Sequence, residues 1–254
     1  MIKINDFLKL QILRIHDLLI REYLGPPLHR MKVTGLPIVN LCNNGKTYLI
    51  SRSFEHIDKD KLLIENFITI LDKNEDGFKI RKCIPLPSSL PFETDFVTSI
   101  VSNYDGSEIM LGCPNPNNKG TILRVTDKTS NVNTVYEDDQ TKALLGYSIS
   151  GSDNLNVLVV SVPMEVVDDD LTKRTESILI LERKHGSLDY KIQAIIISIE
   201  GHLLGAEVAM ASLGNNFYIT TPDKEFEIYR CEDSWHGNSN YLTVINIKEK
   251  NNEK

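Results

Sequence analysis

The chain is short of nearly everything that announces a chemistry. Its four cysteines, Cys42, Cys83, Cys113 and Cys231, stand at least thirty residues apart with no C-x-x-C pair. That excludes a zinc cluster of ordinary spacing and a small disulfide framework, and fits scattered reduced thiols in an intracellular protein. The six histidines (His16, His29, His56, His185, His202, His236) form no H-x-x-x-H or H-E-x-x-H pair, and no Ser/His/Asp triad is assigned. The glycines are dispersed, so no phosphate-cradling loop is present. No uncharged stretch approaches the roughly 20 residues that span a bilayer. The N-terminal apolar residues are interrupted by Lys9, Arg14, His16, Asp17 and Arg21, which denies them the core of a signal peptide. Positive charge is also scarce: 28 Lys and Arg face 35 Asp and Glu, a net charge of −7. With no basic field to displace counterions, a general nucleic-acid binder is excluded.

What is present is an ordinary globular composition, 41% hydrophobic and 25% charged over 254 residues, enough for a sizeable core. Residues 5–24 read as an amphipathic helix, capped by Asn5 or Asp6 and stopped by Gly25, Pro26 and Pro27. Leu8, Ile12, Ile15, Leu19 and Tyr23 form its apolar stripe, widened by Leu13, Ile20 and Leu24, opposite Gln11, Arg14, Asp17, Arg21 and Glu22. So wide a face is expected to dock on the protein's own body or to receive a partner. Its polar side is not basic enough for membrane adsorption.

After Pro27 the texture changes to short β-rich runs at 46–51, 67–71, 78–84, 108–111, 121–125, 157–162, 177–181, 217–220, 226–229 and 241–247. Turn signals separate them: Asn43-Asn44-Gly45, Asp76-Gly77, Asp105-Gly106, Lys119-Gly120 and Gly214-Asn215. Four segments then align without a gap over eighteen positions: LPIVNLCNNGKTYLISRS (36–53), VTSIVSNYDGSEIMLGCP (97–114), GYSISGSDNLNVLVVSVP (146–163) and GAEVAMASLGNNFYITTP (205–222). The fourth position is always β-branched: Val39, Ile100, Ile149, Val208. The thirteenth is Tyr48, Ile109, Leu158 or Phe217 and the fifteenth Ile50, Leu111, Val160 or Ile219, while Ser51, Gly112, Ser161 and Thr220 keep the sixteenth small. Glycine occupies the turn in three units (Gly45, Gly106, Gly214), where a positive φ is expected. Units of this length have room for four strands. Apolar on both faces, each sheet must stack on a neighbour.

At these positions the chain resembles FG-GAP repeats, the blades of integrin-α-type propellers. Leu145-Gly146 and Leu204-Gly205 stand for the family's Phe-Gly opening, Gly112-Cys113-Pro114 for its Gly-Ala-Pro close, and Gly120-Thr-Ile-Leu-Arg-Val125 for its third strand. The resemblance implies an all-β fold, a β-propeller of about four blades of four-stranded antiparallel sheets, here with an N-terminal amphipathic α-helix. The expected organisation is helix and Pro linker at 1–30, blades at about 35–94, 95–143, 144–202 and 203–248 within a repeat domain of 31–248, and a polar tail at 249–254. Four blades are expected to close as a small ring, or else to form half of a larger ring completed by another chain, a homodimer sharing one propeller.

Few residues suggest chemistry. Asp72-Lys-Asn74-Glu-Asp76-Gly77 matches the opening of a calcium loop at positions 1, 3, 5 and 6, but Cys83 stands where the closing carboxylate belongs. A polar hairpin turn is the first reading, a weak calcium site the second. Asp58 and Asp60, Asp168-Asp169-Asp170, and Asp223 fall in loops between second and third strands. They give one rim a negative field that is either solvated loop charge or a docking face for a basic partner or cation. The lone Trp235, in Cys231-Glu-Asp-Ser-Trp-His-Gly237, packs over a hairpin or anchors a partner or sugar. Asp105-Gly106 after Ser102 is similar to a sialidase Asp-box without its closing aromatic. The expected function is a non-enzymatic, cofactor-free protein-interaction or scaffold module with a protein partner. The alternatives are a propeller-based hydrolase or lyase with a metal at the ring centre, or a lectin-like sugar binder.

Overall fold

The computed structural model describes residues 32–58, 61–75, 77–87, 97–115, 119–141, 144–166, 174–184, 187–198, 207–210, 216–220, 226–231 and 242–247. The expected helix at 1–30 lies outside them; among the described residues the regular structure is all strand. Among the described residues sixteen strands form four four-stranded antiparallel sheets, each a simple up-and-down meander. The first sheet is β1 (Lys32–Leu41), β2 (Thr47–Asp58), β3 (Lys61–Asn74) and β4 (Gly77–Pro85). The second is β5 (Ser99–Ser102), β6 (Glu108–Cys113), β7 (Lys119–Thr126) and β8 (Val132–Thr141). The third is β9 (Ile149–Gly151), β10 (Val157–Val166), β11 (Arg174–Glu182) and β12 (Lys191–Ser198). The fourth is β13 (Glu207–Met210), β14 (Asn216–Thr220), β15 (Phe226–Cys231) and β16 (Leu242–Ile247). Successive sheets meet through their first strands, β1 beside β5, β5 beside β9 and β9 beside β13, which is the blade arrangement of a β-propeller.

The gapless repeat is preserved as register. The fourth position pairs with the fifteenth in every sheet: Val39 with Ile50, Ile100 with Leu111, Ile149 with Val160 and Val208 with Ile219. The sixth likewise pairs with the thirteenth: Leu41 with Tyr48, Ser102 with Ile109, Gly151 with Leu158 and Met210 with Phe217. The intervening turn also repeats. The amide of Gly45 donates to the Cys42 carbonyl, that of Gly106 to Asn103 and that of Leu155 to Ser152, at 2.9, 3.2 and 2.8 Å. Each of the three donors has a left-handed φ, +68°, +73° and +53°. The third unit thus has a leucine where the other three have glycine; Leu155 is fully buried, and that burial offsets the ~1–2 kcal/mol cost of its conformation. The fourth unit's turn at Gly214 lies outside the described residues.

Alternation along the strands sends side chains to both faces of each sheet, so the core forms as slabs between sheets. Leu49, Ile68, Ile70 and Ile84 of the first sheet meet Ile100, Ile109, Leu111 and Val125 of the second. Met110 and Ile122, on the second sheet's other face, meet Ile149, Leu158, Val160 and Leu181 of the third. Val157, Val159, Ile178 and Ile180 then face Val208 of the fourth. Small residues bring the second and third blades close: a Cβ on Gly112 would lie 2.0 Å from the Gly146 carbonyl oxygen. These two glycines therefore touch where the two blades meet.

Polar side chains knit the first strands together. Asn40 Nδ2 donates to the Ile100 carbonyl, Ser99 Oγ accepts from the Ile149 amide at 3.1 Å, and Ser148 and Ser150 Oγ accept from the Val208 and Met210 amides at 3.1 and 3.0 Å. β12, which the sequence reading missed, is apolar at every residue from 194 to 197, and its pairing with β11 shifts register at Ile180/Leu181, so it lacks the period-2 signature of a strand.

Candidate functional site

Most residues singled out from the sequence lie outside the described residues: Leu8, Ile12, Ile15, Leu19, Tyr23, Asp168, Asp169, Asp170, Trp235 and Asp76. So do Asp60 and Asp223 of the acidic rim, while Asp58 ends β2. Asp72 and Asn74 are described. They sit at the end of β3, where Asn74 pairs with Gly77 to close a two-residue hairpin. The Asp72 carboxylate accepts from Thr47 Oγ1 at 3.1 Å and lies 3.6 Å from Arg81 Nε, so it serves the sheet, while Asn74 is exposed. Among the described residues no group of three or more His, Cys, Asp and Glu converges as a metal site.

The structure instead assembles two places that the sequence did not mark. The first is a charged cluster between the second and third sheets, at the end where first-to-second and third-to-fourth strand turns gather. Glu108 opens β6, Arg124 lies near the end of β7, and Arg183 follows β11. Arg183 grips Glu108 with both terminal nitrogens, Nη1 to Oε1 at 2.6 Å and Nη2 to Oε2 at 2.9 Å, while Arg124 Nε donates to Oε1 at 2.5 Å. The Arg183 side chain is 5% exposed and stands over the Tyr190 ring, 5.3 Å from its centroid. The Tyr190 hydroxyl, in turn, donates to the carbonyl of Leu155, the residue with the left-handed turn conformation.

The electrostatics follow from this packing. Burial pushes the Glu108 carboxyl up, but the hydrogen bonds and charges of Arg183 and Arg124 outweigh it and hold the group below its ordinary range. Burial opposes the Arg183 charge, and Glu108 more than restores it. Burial raises the Tyr190 phenol, keeping it neutral as a donor. Beside the cluster opens a pocket of about 450 Å³, lined among others by Glu108, Arg124, Lys128, Thr129, Asn133 and Leu188.

The second place is the face of the first sheet turned away from the second. Ile50, Leu71 and Cys83 are buried there, with Tyr48, Phe78 and Ile80 partly buried against them and the Tyr48 and Phe78 rings edge to face at 5.1 Å. In the other three sheets this face, marked by the fourth repeat position, is covered by the preceding blade: Ile100 and Ile149 are 5% exposed and Val208 8%. On the first sheet Val39 is 37% and Leu41 46% exposed. The β-branched column was visible in sequence; its uneven burial was not.

No family model matches the chain, and no curated protein matches it. Among solved structures it is similar to the β-propeller domain of the trilobed protease from Pyrococcus furiosus, with 12% identity and a TM-score of 0.46 over 83% of this chain and 58% of that one. It is similar too to the β-propeller domain of Cps50 (Swd1) from Myceliophteria thermophila, with 12% identity and a TM-score of 0.44 over 84% and 73% of the two chains. The periplasmic gluconolactonase PpgL of Pseudomonas aeruginosa matches with 9% identity and a TM-score of 0.44 over 81% and 70%. The chain thus spans little more than half of the trilobed protease's propeller domain, 58% of its length. Likeness at this level carries neither an activity nor a ligand from one chain to another.

Proposed function

We propose that the chain is a non-enzymatic protein-interaction module built on a four-bladed arc of FG-GAP-like propeller blades, and that its partner seats on the open face of the first sheet. The observation that carries this is the exposure of Val39 and Leu41 where the equivalent positions of the other sheets are covered. An apolar face of this kind, rimmed by polar turns, is characteristic of an interaction surface.

The occupant that fits is the fourth sheet of a second copy. Leu49, Met110 and Val159 share one repeat position and face the following sheet. Tyr218 occupies that position in the fourth sheet, in register with Ile228 and Ile245, and among the described residues no further sheet follows. Among the described residues no sheet precedes the first or follows the fourth, so two copies joined head to tail would complete both by the contact already repeated inside each chain. A fourth sheet that closes on the first within one chain is the competing arrangement.

Size-exclusion chromatography with light scattering on the full chain tests this. The expected result is a dimer that the substitution Leu41→Asp converts to monomer without loss of β-sheet circular dichroism. A compact monomer at every concentration, with Val39 and Leu41 amides and side chains protected, would overturn the shared ring.

A further inference from the structure

The pocket between the second and third blades is independent of the open face, and we infer that it binds a small hydroxylated molecule through an oxyanion, a phosphate or a carboxylate. The inference starts from charge. Arg124 and Arg183 bond one carboxylate, Glu108, and Lys128 joins Glu108 and Arg124 in the pocket lining, so these four groups carry an excess of two positive charges in a chain of net charge −7. The neighbouring acid, Asp127, does not cancel it: its carboxylate lies 3.4 Å from Arg81 Nε and 3.9 Å from Lys82 Nζ, in a separate network.

The cations differ in what they have left to offer. Arg183 spends Nη1 and Nη2 on Glu108 and on the Ser187 and Asn154 carbonyls. Arg124 spends only Nε, and its two terminal amino groups have no acceptor among the described residues. The Lys128 ammonium, on the β7–β8 turn, also has no carboxylate partner among the described residues and is exposed. Glu108 accepts three strong hydrogen bonds, so its own oxygens are occupied and it fixes the Arg124 guanidinium at the pocket wall. A planar guanidinium held in this way, with an exposed ammonium in the same pocket lining, is a receptor for an oxyanion. The rest of the lining suits a polyhydroxylated body: Thr129, Asn131 and Asn133 supply hydroxyl and amide groups, and Leu188, 49% exposed, supplies one apolar wall. About 450 Å³ accommodates a ligand of monosaccharide size.

Titration calorimetry on the full chain tests the inference with three probes: inorganic phosphate, glucuronate and glucose. Phosphate, glucuronate or both are expected to bind while neutral glucose does not, and which of the two binds identifies the anionic group. Lys128→Ala, at an exposed turn position that leaves the Glu108 cluster intact, is expected to weaken the bound anion about five- to tenfold. Raising the salt several-fold should weaken it further. Failure of both anions to bind the wild type, glucose binding as tight as glucuronate, or unchanged anion affinity in Lys128→Ala would each overturn the inference.

Discussion

Gly112→Ala is the substitution that most directly tests how the blades are held. The added Cβ would lie 2.0 Å from the Gly146 carbonyl oxygen and 3.0 Å from its carbonyl carbon. An ordinary C···O contact needs about 3.3 Å, so the two backbones must separate by roughly 1.3 Å. No flexible side chain can absorb that, because the obstacle is main chain and Gly146 is itself fixed at a φ of +86°. A radial gap of about 0.5–1 Å already forfeits a quarter to a half of each atomic contact. The slab that must open contains Met110, Ile122, Leu145, Leu158 and Val160, all with 0% exposure. We therefore expect a loss of about 3 kcal/mol, at the upper end of overpacking costs. In urea, with a slope of about 2–3 kcal/mol per molar, the midpoint should fall by about 1 M or more. Gly45→Ala is the control: its φ is +68° but nothing lies within 4 Å of the new Cβ, so only the backbone cost of about 1 kcal/mol applies. A Gly112→Ala midpoint within about 0.3 M of the wild type would refute the close approach of the second and third blades.

Removing Glu108 should be costly for a different reason. Glu108→Ala leaves Arg183, with its side chain 5% exposed, as an uncompensated buried cation, and should destabilise the chain by about 3–5 kcal/mol in urea unfolding. The same group sets a pH window. Its native pKa lies below the ordinary value of 4.5, so its contribution is complete above that value and is lost as pH falls through the lower native value; acid unfolding of the wild type should be steeper there than that of Glu108→Gln. On the outer strand β12, whose one charged residue is Lys191, Ile192 and Ile195 are 43% and 51% exposed. Ile195→Lys should change stability by less than about 0.5 kcal/mol while lowering concentration-dependent aggregation measured by light scattering. Finally, Leu155→Gly relieves the left-handed conformation but empties a fully buried site, and a net loss of about 1–2 kcal/mol is expected in the same unfolding assay.

Local information was enough for the elements and their repetition. Runs such as Glu108–Cys113 and Phe226–Cys231 alternate or are bounded by turn residues, and the eighteen-position repeat carried its register into all four sheets. Gly45 and Gly106 were legible because a tight hairpin demands a positive φ that glycine adopts freely. Leu155 was not, because a leucine tolerates that φ only when long-range burial and the Tyr190 hydrogen bond hold it there. β12 was missed because its central stretch, 194–197, is apolar on every residue and has no period to read.

The candidate sites were legible in neither composition nor spacing. Glu108, Arg124 and Arg183 are separated by 16 and 59 positions along the chain, and only the stacking of the second blade on the third makes them one cluster. Likewise the sequence assigned Val39 to the same column as Ile100, Ile149 and Val208, because all four obey one local pattern. Which member of the column is left uncovered depends on whether a blade stands in front of it. The sequence by itself determined a β meander, its repeat and its register, since these follow from side-chain alternation and turn chemistry over a few residues. The tertiary structure alone decided where a buried carboxylate meets two guanidiniums and which apolar face stays open, since burial and charge pairing belong to surfaces that residues distant in sequence build together.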